Sequence, residues 1–276
     1  MAHAHIPRAP NALIAAAQGG DRKALERLLE AEQQRIYAFG LKMCRNQEDA
    51  QDVLQDTMLA VTRSIGEFRG DAALPTWLFQ IARSFCIKKR RLRKGAPKAT
   101  ESIDDPASGG LADASPNPEQ TTRGKELEAL LNEALGQLPP ASREVLVLRD
   151  VEGLTAPEVA EVLGVSVEAV KSKLHRARSA LHKLLAPKFA ADLGGEKKSD
   201  CPDILAMYSQ QLEGDLTGTL CAKMEKHVAH CARCSSACDV LKQSLALCKT
   251  LPVVPEDVKR AVRSSFKLAL SLPASK

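Results

Sequence analysis

Side chains that can ligate a metal ion are concentrated in HVAHCARC, residues 227–234, which holds two histidines and two cysteines. His227 and Cys231 are four residues apart, so on a helix they share one face. Cys234 follows after two residues, a spacing that lets two thiolates bind one metal ion around a turn. His230 would point about 100° away from Cys231 on a helix, so it is left out. Three ligands of a tetrahedral metal site are thus predicted.

The fourth ligand has two candidates. Cys238 continues the local series, but an unbroken helix over 227–238 would spread the ligands over about 16 Å. Zinc needs its sulfur and nitrogen ligands within about 2.3 Å of the ion. Cys201 is remote in sequence and would reach the site if an antiparallel helix returned it. The cysteines left over, among Cys221, Cys238 and Cys248, are core residues, resolving thiols or ligands of a second metal site.

Composition indicates an all-α protein without membrane insertion. The 276 residues are only 3% aromatic and are rich in helix formers such as alanine, leucine, lysine and glutamate. No apolar run is long enough to cross a bilayer, and the start, MAHAHIPRAPNALIAA, is a poor secretion signal. We therefore expect a cytoplasmic protein, whose eight cysteines are reduced thiols or metal ligands rather than disulfides. Cys44 and Cys86 are predicted to be core residues.

The elements that must position these residues fall into helical blocks separated by polar stretches. Apolar residues recur three and four apart over 11–94 and 125–186. Between them, residues 95–122 hold five acids against one lysine and too few apolar residues to form a core. The predicted organisation is a helical domain at 1–95, a flexible acidic linker at 96–124, a helix-turn-helix domain at 125–188, a linker at 189–200, a small helical zinc-binding domain at 201–250 and an amphipathic helix at 251–276. This last helix is expected to pack on the body; contact with a membrane or a partner is the alternative.

Residues 154–181 predict two short helices joined by a glycine-containing turn. Thr155 and Glu158 can form a capping box, and Gly164 can end the first helix in a left-handed conformation. The second helix is basic, which is typical of a helix-turn-helix that reads the major groove; a purely structural hairpin is the alternative. The predicted DNA-binding residues are Ser166, Lys171, Ser172, Lys173, His175, Arg176 and Arg178.

Through these motifs and others in its first half, the chain resembles the extracytoplasmic-function (ECF) sigma factors of the sigma-70 family. The stretch QLPPASREVLVLRDVEGLTAPEVAEVLGVSVEAVKSKLHRARSAL looks like their region 4. EDAQDVLQDTML, residues 48–59, is similar to the acidic helix of region 2, and FRGDAALPTWLFQIARSF, residues 68–85, to its strand-opening part. The resemblance covers residues 10–186. It implies a transcription initiation factor that binds core RNA polymerase and promoter DNA and has no catalytic residues of its own.

The resemblance also implies roles for two sets of residues in region 2. Those implied to bind the polymerase clamp helices share one helix face and are Asp49, Asp52, Gln55 and Asp56. Trp77 is interpreted as a core anchor. The basic residues implied to bind DNA at the −10 element are Arg83, Lys88, Lys89, Arg90, Arg91 and Arg93. Many members have Asn and Asp where this chain has Ser84 and Lys88, so a −10 sequence preference does not carry over.

The segment from Cys201 resembles the zinc-binding domain of anti-sigma factors, in which a phrase like LEGDLT separates two helices. On the pattern C-x25-H-x3-C-x2-C, this resemblance implies that zinc is held by Cys201, His227, Cys231 and Cys234. It implies a C-terminal domain that regulates the sigma regions in cis, by inhibition or by metal- or redox-dependent activation. Two alternatives remain: a purely structural or partner-recruiting zinc domain, and a helix-turn-helix metalloregulator that binds operator DNA without polymerase.

Overall fold

The computed structural model describes residues 10–95, 129–189, 201–248 and 254–271. Every regular element in these ranges is helical, as the sequence predicts. The predicted acidic linker at 96–124 lies outside the described residues, and so does all but the first residue of the linker at 189–200.

The chain forms two compact units. The first contains helices α1 to α4 and α12, and the second contains nearly all of α5 to α11. The helices of the described residues are α1 (Asn11–Gln18), α2 (Arg22–Cys44), α3 (Gln47–Ser64), α4 (Leu74–Gly95), α5 (129–137), α6 (Pro140–Leu146), α7 (Ala156–Leu163), α8 (Val167–Phe189), α9 (Ile204–Glu213), α10 (Gly218–His230), α11 (Ala232–Cys248) and α12 (Glu256–Ser271). A 3-10 turn follows α3 at Ile65–Glu67, and a π-helical turn follows α6 at Val147–Val151.

In the first unit, a tight corner joins α2 to α3. Arg45 follows the end of α2 with a left-handed φ of 62°, and Asn46 then caps α3 by accepting a hydrogen bond from the Asp49 N–H at 2.9 Å. The two helices pack closely because α2 carries Gly40 at their contact; a Cβ there would lie 3.1 Å from the Cα of Ala50. The corner therefore fixes the direction in which α3 presents its acidic face.

Helix α4 closes this core, and α12 covers part of it. The rings of Phe39 and Phe79 lie 5.3 Å apart. Trp77 packs against Phe68 at 5.1 Å between ring centroids, which agrees with its interpretation as an anchor. Helix α12 packs on α3, and Val258, Val262 and Phe266 are buried.

In the second unit, α7 and α8 form the helix-turn-helix. The predicted capping box is present: the Glu158 carboxylate accepts from the Thr155 N–H at 2.8 Å, and the Thr155 hydroxyl accepts from the Glu158 N–H. Gly164 ends α7 with a φ of 66°. Ser166 caps α8 through the Ala169 N–H at 3.2 Å. Local sequence therefore sets both ends of the turn.

Residues 201–248, with helices α9, α10 and α11, form a small bundle in this second unit, which we call the zinc module after the ion that the sequence predicts for it. Its core is the cluster of Ile204, Met224, Cys234 and Cys238. Helices α9 and α11 pack on α8, so the module lies directly on the helix-turn-helix. Among the described residues, none of the helices is both long and apolar enough to span a membrane.

Candidate metal centre and nucleic-acid interface

The four predicted metal ligands come together in the zinc module. The ligand atoms of Cys201, His227, Cys231 and Cys234 all lie within 4.8 Å of one another. Nε2 of His227 is 3.2 Å from Sγ of Cys234, and the Sγ atoms of Cys201 and Cys231 are 3.9 Å apart. In a tetrahedral site with bonds of about 2.3 Å, neighbouring ligand atoms are about 3.8 Å apart. The cluster therefore fits a four-coordinate zinc ion.

The elements of the module explain how distant residues meet. Cys201 precedes α9, which begins where the Asp203 carboxylate accepts a hydrogen bond from the Ala206 N–H. His227 lies in the last turn of α10. Cys231 lies in the corner after α10, with φ −122° and ψ 102°, and Cys234 lies in the first turn of α11. Helix α10 thus ends one residue before Cys231, so His227 and Cys231 do not share a helical face as predicted, and the corner at Cys231 brings Cys234 to the other three ligands.

The residues left out of the ligand set have other contacts. His230 is exposed, and its Nδ1 lies 2.8 Å from the Lys226 carbonyl oxygen of its own helix. Cys238 is buried in the module core, where burial raises the pKa of its thiol. Cys221 lies 3.1 Å from Nε2 of Gln211, which can donate to it. The side chain of Cys248 lies outside the described residues.

The thiols of the cluster differ in acidity before a metal binds. Burial raises the pKa of Cys234 to about 12. The pKa of Cys231 is lowered, chiefly by a hydrogen bond with the Cys234 backbone. Because the thiolate is the form that ligates a metal, metal binding at this cluster would release protons.

The predicted DNA-binding residues lie on α8 and at its N-cap, and they differ in exposure and in their partners. Ser166, Ser172 and Arg176 are exposed, and Lys173 is half-buried. Nε2 of His175 is buried, with no hydrogen-bond partner in the described part of the chain. Lys171 pairs with an acid of the zinc module: its Nζ lies 2.6 Å from Oδ1 of Asp215, in the turn between α9 and α10.

Arg178 is not on the exposed face where the sequence predicts it. It is 1% exposed, and its guanidinium donates to Asp150 at 2.6 and 2.9 Å and to Glu213 at 2.8 Å. Burial lowers the pKa of Arg178, but the two carboxylates more than offset this, so the pKa is raised. In this conformation the guanidinium of Arg178 cannot reach DNA, because Asp150, Ser209 and Glu213 enclose it. The DNA contact of Arg178 stays a prediction.

Glu213 is the acid that the sequence analysis missed. Its side chain is 3% exposed, and it accepts hydrogen bonds from both Arg178 and Arg149, the latter at 2.9 Å. Ser209, one turn earlier on α9, also accepts from Arg178 at 2.8 Å. The available signal was an acid at the last position of α9, four residues after Ser209. Nothing local in the sequence gives its partner.

The predicted polymerase-binding residues lie together on α3. Asp52 is half exposed and pairs with Lys89 of α4. Nε2 of Gln55 donates to Oγ of Ser265 on α12 at 3.0 Å. Close by on α12, Arg263 pairs with Glu30 of α2 at 2.7 Å. Part of the predicted acidic face is therefore covered by the C-terminal helix.

The basic residues predicted for the −10 element lie along α4. Lys88 and Arg91 are exposed, whereas Arg83, Lys89 and Arg90 are half-buried. The pKa of Lys89 is raised, chiefly by its hydrogen bond to Asp52. The side chain of Arg93 lies outside the described residues. Helix α4 thus presents a basic surface. The charge of Lys89 on this surface is partly neutralised by its ion pair with Asp52 of α3.

Comparison with known proteins finds three family models that match parts of this chain. Family models match sigma-70 region 2 at residues 28–96, sigma-70 region 4 at 128–181, and a zinc-finger family at 201–235. The RNA polymerase sigma-H factor of Pseudomonas aeruginosa is 31% identical over 63% of this chain and 93% of its own length. The ECF sigma factor SigM of Mycobacterium tuberculosis is 34% identical over 63% of this chain and 83% of its own. The chain belongs to the ECF sigma factors.

In this ECF sigma factor, the segment that matches a zinc-finger family follows region 4. A solved structure of CnrH in complex with the cytosolic domain of CnrY is similar over 64% of the present chain and 96% of that one, with 28% identity and a TM-score of 0.43. Helices α2 to α4 correspond to region 2, and the helix-turn-helix of α7 and α8 is the DNA-binding part of region 4. The family match to region 2 favours a transcription initiation factor over a metalloregulator that works without polymerase.

Proposed function

We propose that this ECF sigma factor binds core RNA polymerase through α3, binds promoter DNA through α4 and α8, and is inhibited in cis by its C-terminal segment. Its place of action is then the bacterial cytoplasm, and the polymerase supplies the catalysis. The observation that carries the inhibition is that the C-terminal segment contacts both predicted working surfaces, each within its own compact unit. The following contacts support this.

On region 4, the zinc module occupies charges that DNA would need. Asp215 pairs with Lys171 on the recognition helix, so one cation proposed to contact DNA is neutralised. Glu213 forms an ion pair with Arg178, which is buried on the same helix as Lys171. An acid facing the recognition helix also repels the phosphate backbone, which is itself a dense row of negative charges. DNA binding by α8 therefore requires at least that Asp215 moves away.

On region 2, α12 covers part of the polymerase-binding face. Val262 and Phe266 are buried in α12, which packs on α3, and Oγ of Ser265 accepts a hydrogen bond from Nε2 of Gln55. A clamp helix that used Gln55 would have to displace α12. Competition for this one face explains inhibition without any change of fold in region 2.

Zinc is the ion we assign to the cluster of Cys201, His227, Cys231 and Cys234, because three thiolates and one imidazole are typical of structural zinc sites. The ion would join the start of α9 to the corner of α10 and α11. Such a link fixes the end of α9, which carries Glu213, against α8. Loss of the metal, or its exchange, would then weaken the contact between the module and region 4.

Run-off transcription with core RNA polymerase tests the proposal. The full chain is compared with a chain that ends at Gly194, each with and without added zinc, cadmium or copper. We expect the shorter chain to give more transcript from the same promoter. Circular dichroism and gel filtration of both proteins check that region 4 stays folded when the module is removed.

Three results can follow. A gain on truncation, or a metal-dependent change in the full chain alone, supports inhibition in cis. Equal yields under all conditions contradict it and favour a structural or partner-recruiting module. No transcript from either protein, over a range of candidate promoters and with both proteins folded, contradicts the proposed promoter activity itself.

A further inference from the structure

Two cysteines outside the zinc module lie side by side in region 2. Cys44 is the last residue of α2, and Cys86 lies in α4. Their Sγ atoms are 3.6 Å apart. A disulfide bond is about 2.05 Å long, so the two sulfur atoms would need to approach by about 1.5 Å to form one.

The two thiols differ in accessibility. Cys44 is half-buried at the end of its helix, whereas Cys86 is buried and only 5% exposed. A small oxidant from solvent can therefore reach the sulfur of Cys44 more easily than that of Cys86. This is the arrangement of an attacking thiol with a resolving thiol behind it.

The two cysteines also lie next to residues that set the position of α3. Cys44 precedes the corner of Arg45 and Asn46, which sets the direction of α3. Cys86 lies three residues before Lys89, whose ammonium group pairs with Asp52 on α3. A bond between the sulfur atoms would tie the end of α2 to α4 beside the acidic face of α3.

We propose that Cys44 and Cys86 form a reversible disulfide in region 2 that responds to low-molecular-weight disulfides. The thiolate of Cys44 attacks one sulfur of the small disulfide and forms a mixed disulfide, and the other half leaves as a thiolate that takes up a proton. The thiolate of Cys86 then attacks the sulfur of Cys44 and releases the second small thiol. The two protein thiols are oxidised, and one small disulfide is reduced to two thiols.

The test uses the full, zinc-loaded chain in buffers of reduced and oxidised glutathione. After acid quenching and alkylation, peptide mass mapping measures the Cys44–Cys86 link. We expect the linked peptide to increase with the oxidised fraction of the buffer and to disappear on addition of dithiothreitol. The link closes a long loop, so the midpoint of thermal unfolding of region 2 should rise by at least about 5 °C.

Two variants separate the roles of the thiols. In Cys86→Ser, the mixed disulfide at Cys44 cannot resolve, so a glutathionyl group should stay on Cys44. In Cys44→Ser, Cys86 should carry less than about a tenth of that adduct, because it is buried. Circular dichroism checks the fold of each variant, and a chromophoric chelator checks that zinc is retained.

Other results would overturn the proposal. One is a folded parent protein with no Cys44–Cys86 peptide at any glutathione ratio. Another is a disulfide that joins Cys44 to a cysteine of the zinc module instead. Equal adducts in the two variants would overturn the order of attack. None of these readouts uses polymerase or DNA, so they stand apart from the proposed function.

Discussion

The carboxylate of Asp215 lies 2.6 Å from the ammonium group of Lys171, so the turn of the zinc module and the recognition helix of region 4 share an ion pair. Both side chains are about one third exposed, at 35% for Lys171 and 38% for Asp215. Such a pair contributes little to stability. Its larger effect is that Lys171, while paired with Asp215, is not available to bind a DNA phosphate.

Asp215→Ala should strengthen promoter binding in the presence of core polymerase. The variant releases Lys171 for a phosphate contact, so the slope of log binding constant against log salt should become steeper by about one unit. Fluorescence anisotropy over a salt series measures this slope. The control is Asp239→Ala, which removes an acid that pairs with Lys242 within the module. Equal slopes for the two variants would mean that Asp215 does not mask the helix.

Glu213→Gln should loosen the zinc module from region 4. The side chain is buried between Arg149 and Arg178, and removing one partner of a buried ion pair costs about 3 kcal/mol. Hydrogen exchange of the α9 amides measures the local opening free energy. Glu225→Gln on the exposed face of α10 is the matched control, and it should leave α9 protected. Unchanged protection in Glu213→Gln would show that the ion pairs do not hold the module.

Val262→Asp should release α12 from region 2 and increase the affinity for core polymerase. Burying a carboxylate among apolar groups costs several kcal/mol, so the helix should detach instead. Ser264→Asp introduces the same residue on the exposed face of α12 and should change little. Native mass spectrometry or fluorescence anisotropy with labelled core polymerase measures the affinity. A similar affinity for both variants would separate α12 from polymerase binding.

Removal of the metal should unfold the zinc module before the sigma regions. We expect one zinc ion per chain by atomic emission. We expect Cys201→Ser to lose it, along with the exchange protection of α9 to α11. His230→Gln should keep the ion, because His230 bonds only to the carbonyl of Lys226 among its described contacts. Loss of zinc in His230→Gln would change the assigned ligand set.

Acid should weaken α8 through His182. This side chain is 7% exposed, and burial lowers its pKa below the ordinary value of 6.5. The unfolded chain therefore binds a proton below pH 6.5 that the folded chain does not, so stability is present above that pH and is lost as pH falls through the folded pKa. The opening free energy of the α8 amides, from hydrogen exchange at constant zinc, should fall with acid in the parent and less in His182→Leu. The same fall in both proteins would exclude His182.

Local patterns were enough to predict the turn of the helix-turn-helix. Thr155, Glu158 and Gly164 act within a few residues of one another, so their spacing alone indicates the turn. Sequence spacing and resemblance also indicated the four residues of the metal cluster. The break at Cys231 was not foreseen, because the i, i+4 spacing of two ligands fits a continuous helix as well as a helix that ends between them.

Contacts between distant segments could not be predicted in this way. Arg178 was assigned to DNA because it is basic, and only the packing of α9 on α8 shows that it is buried between Asp150 and Glu213. The hydrogen bond from Gln55 to Ser265 joins residues 210 positions apart. No pattern within either helix specifies such a partner, since each side chain alone could equally bind water.

The shared carboxylate of Glu213 limits how this protein could be recombined. Arg149, Asp150 and Arg178 belong to region 4, whereas Glu213 and Ser209 belong to the zinc module. In a chimaera that placed this module on a sigma factor without the two arginines, Glu213 would be buried with no cation beside it. The grafted module would pack poorly on its new region 4 even if its metal site were intact. The zinc module and region 4 should therefore be exchanged together.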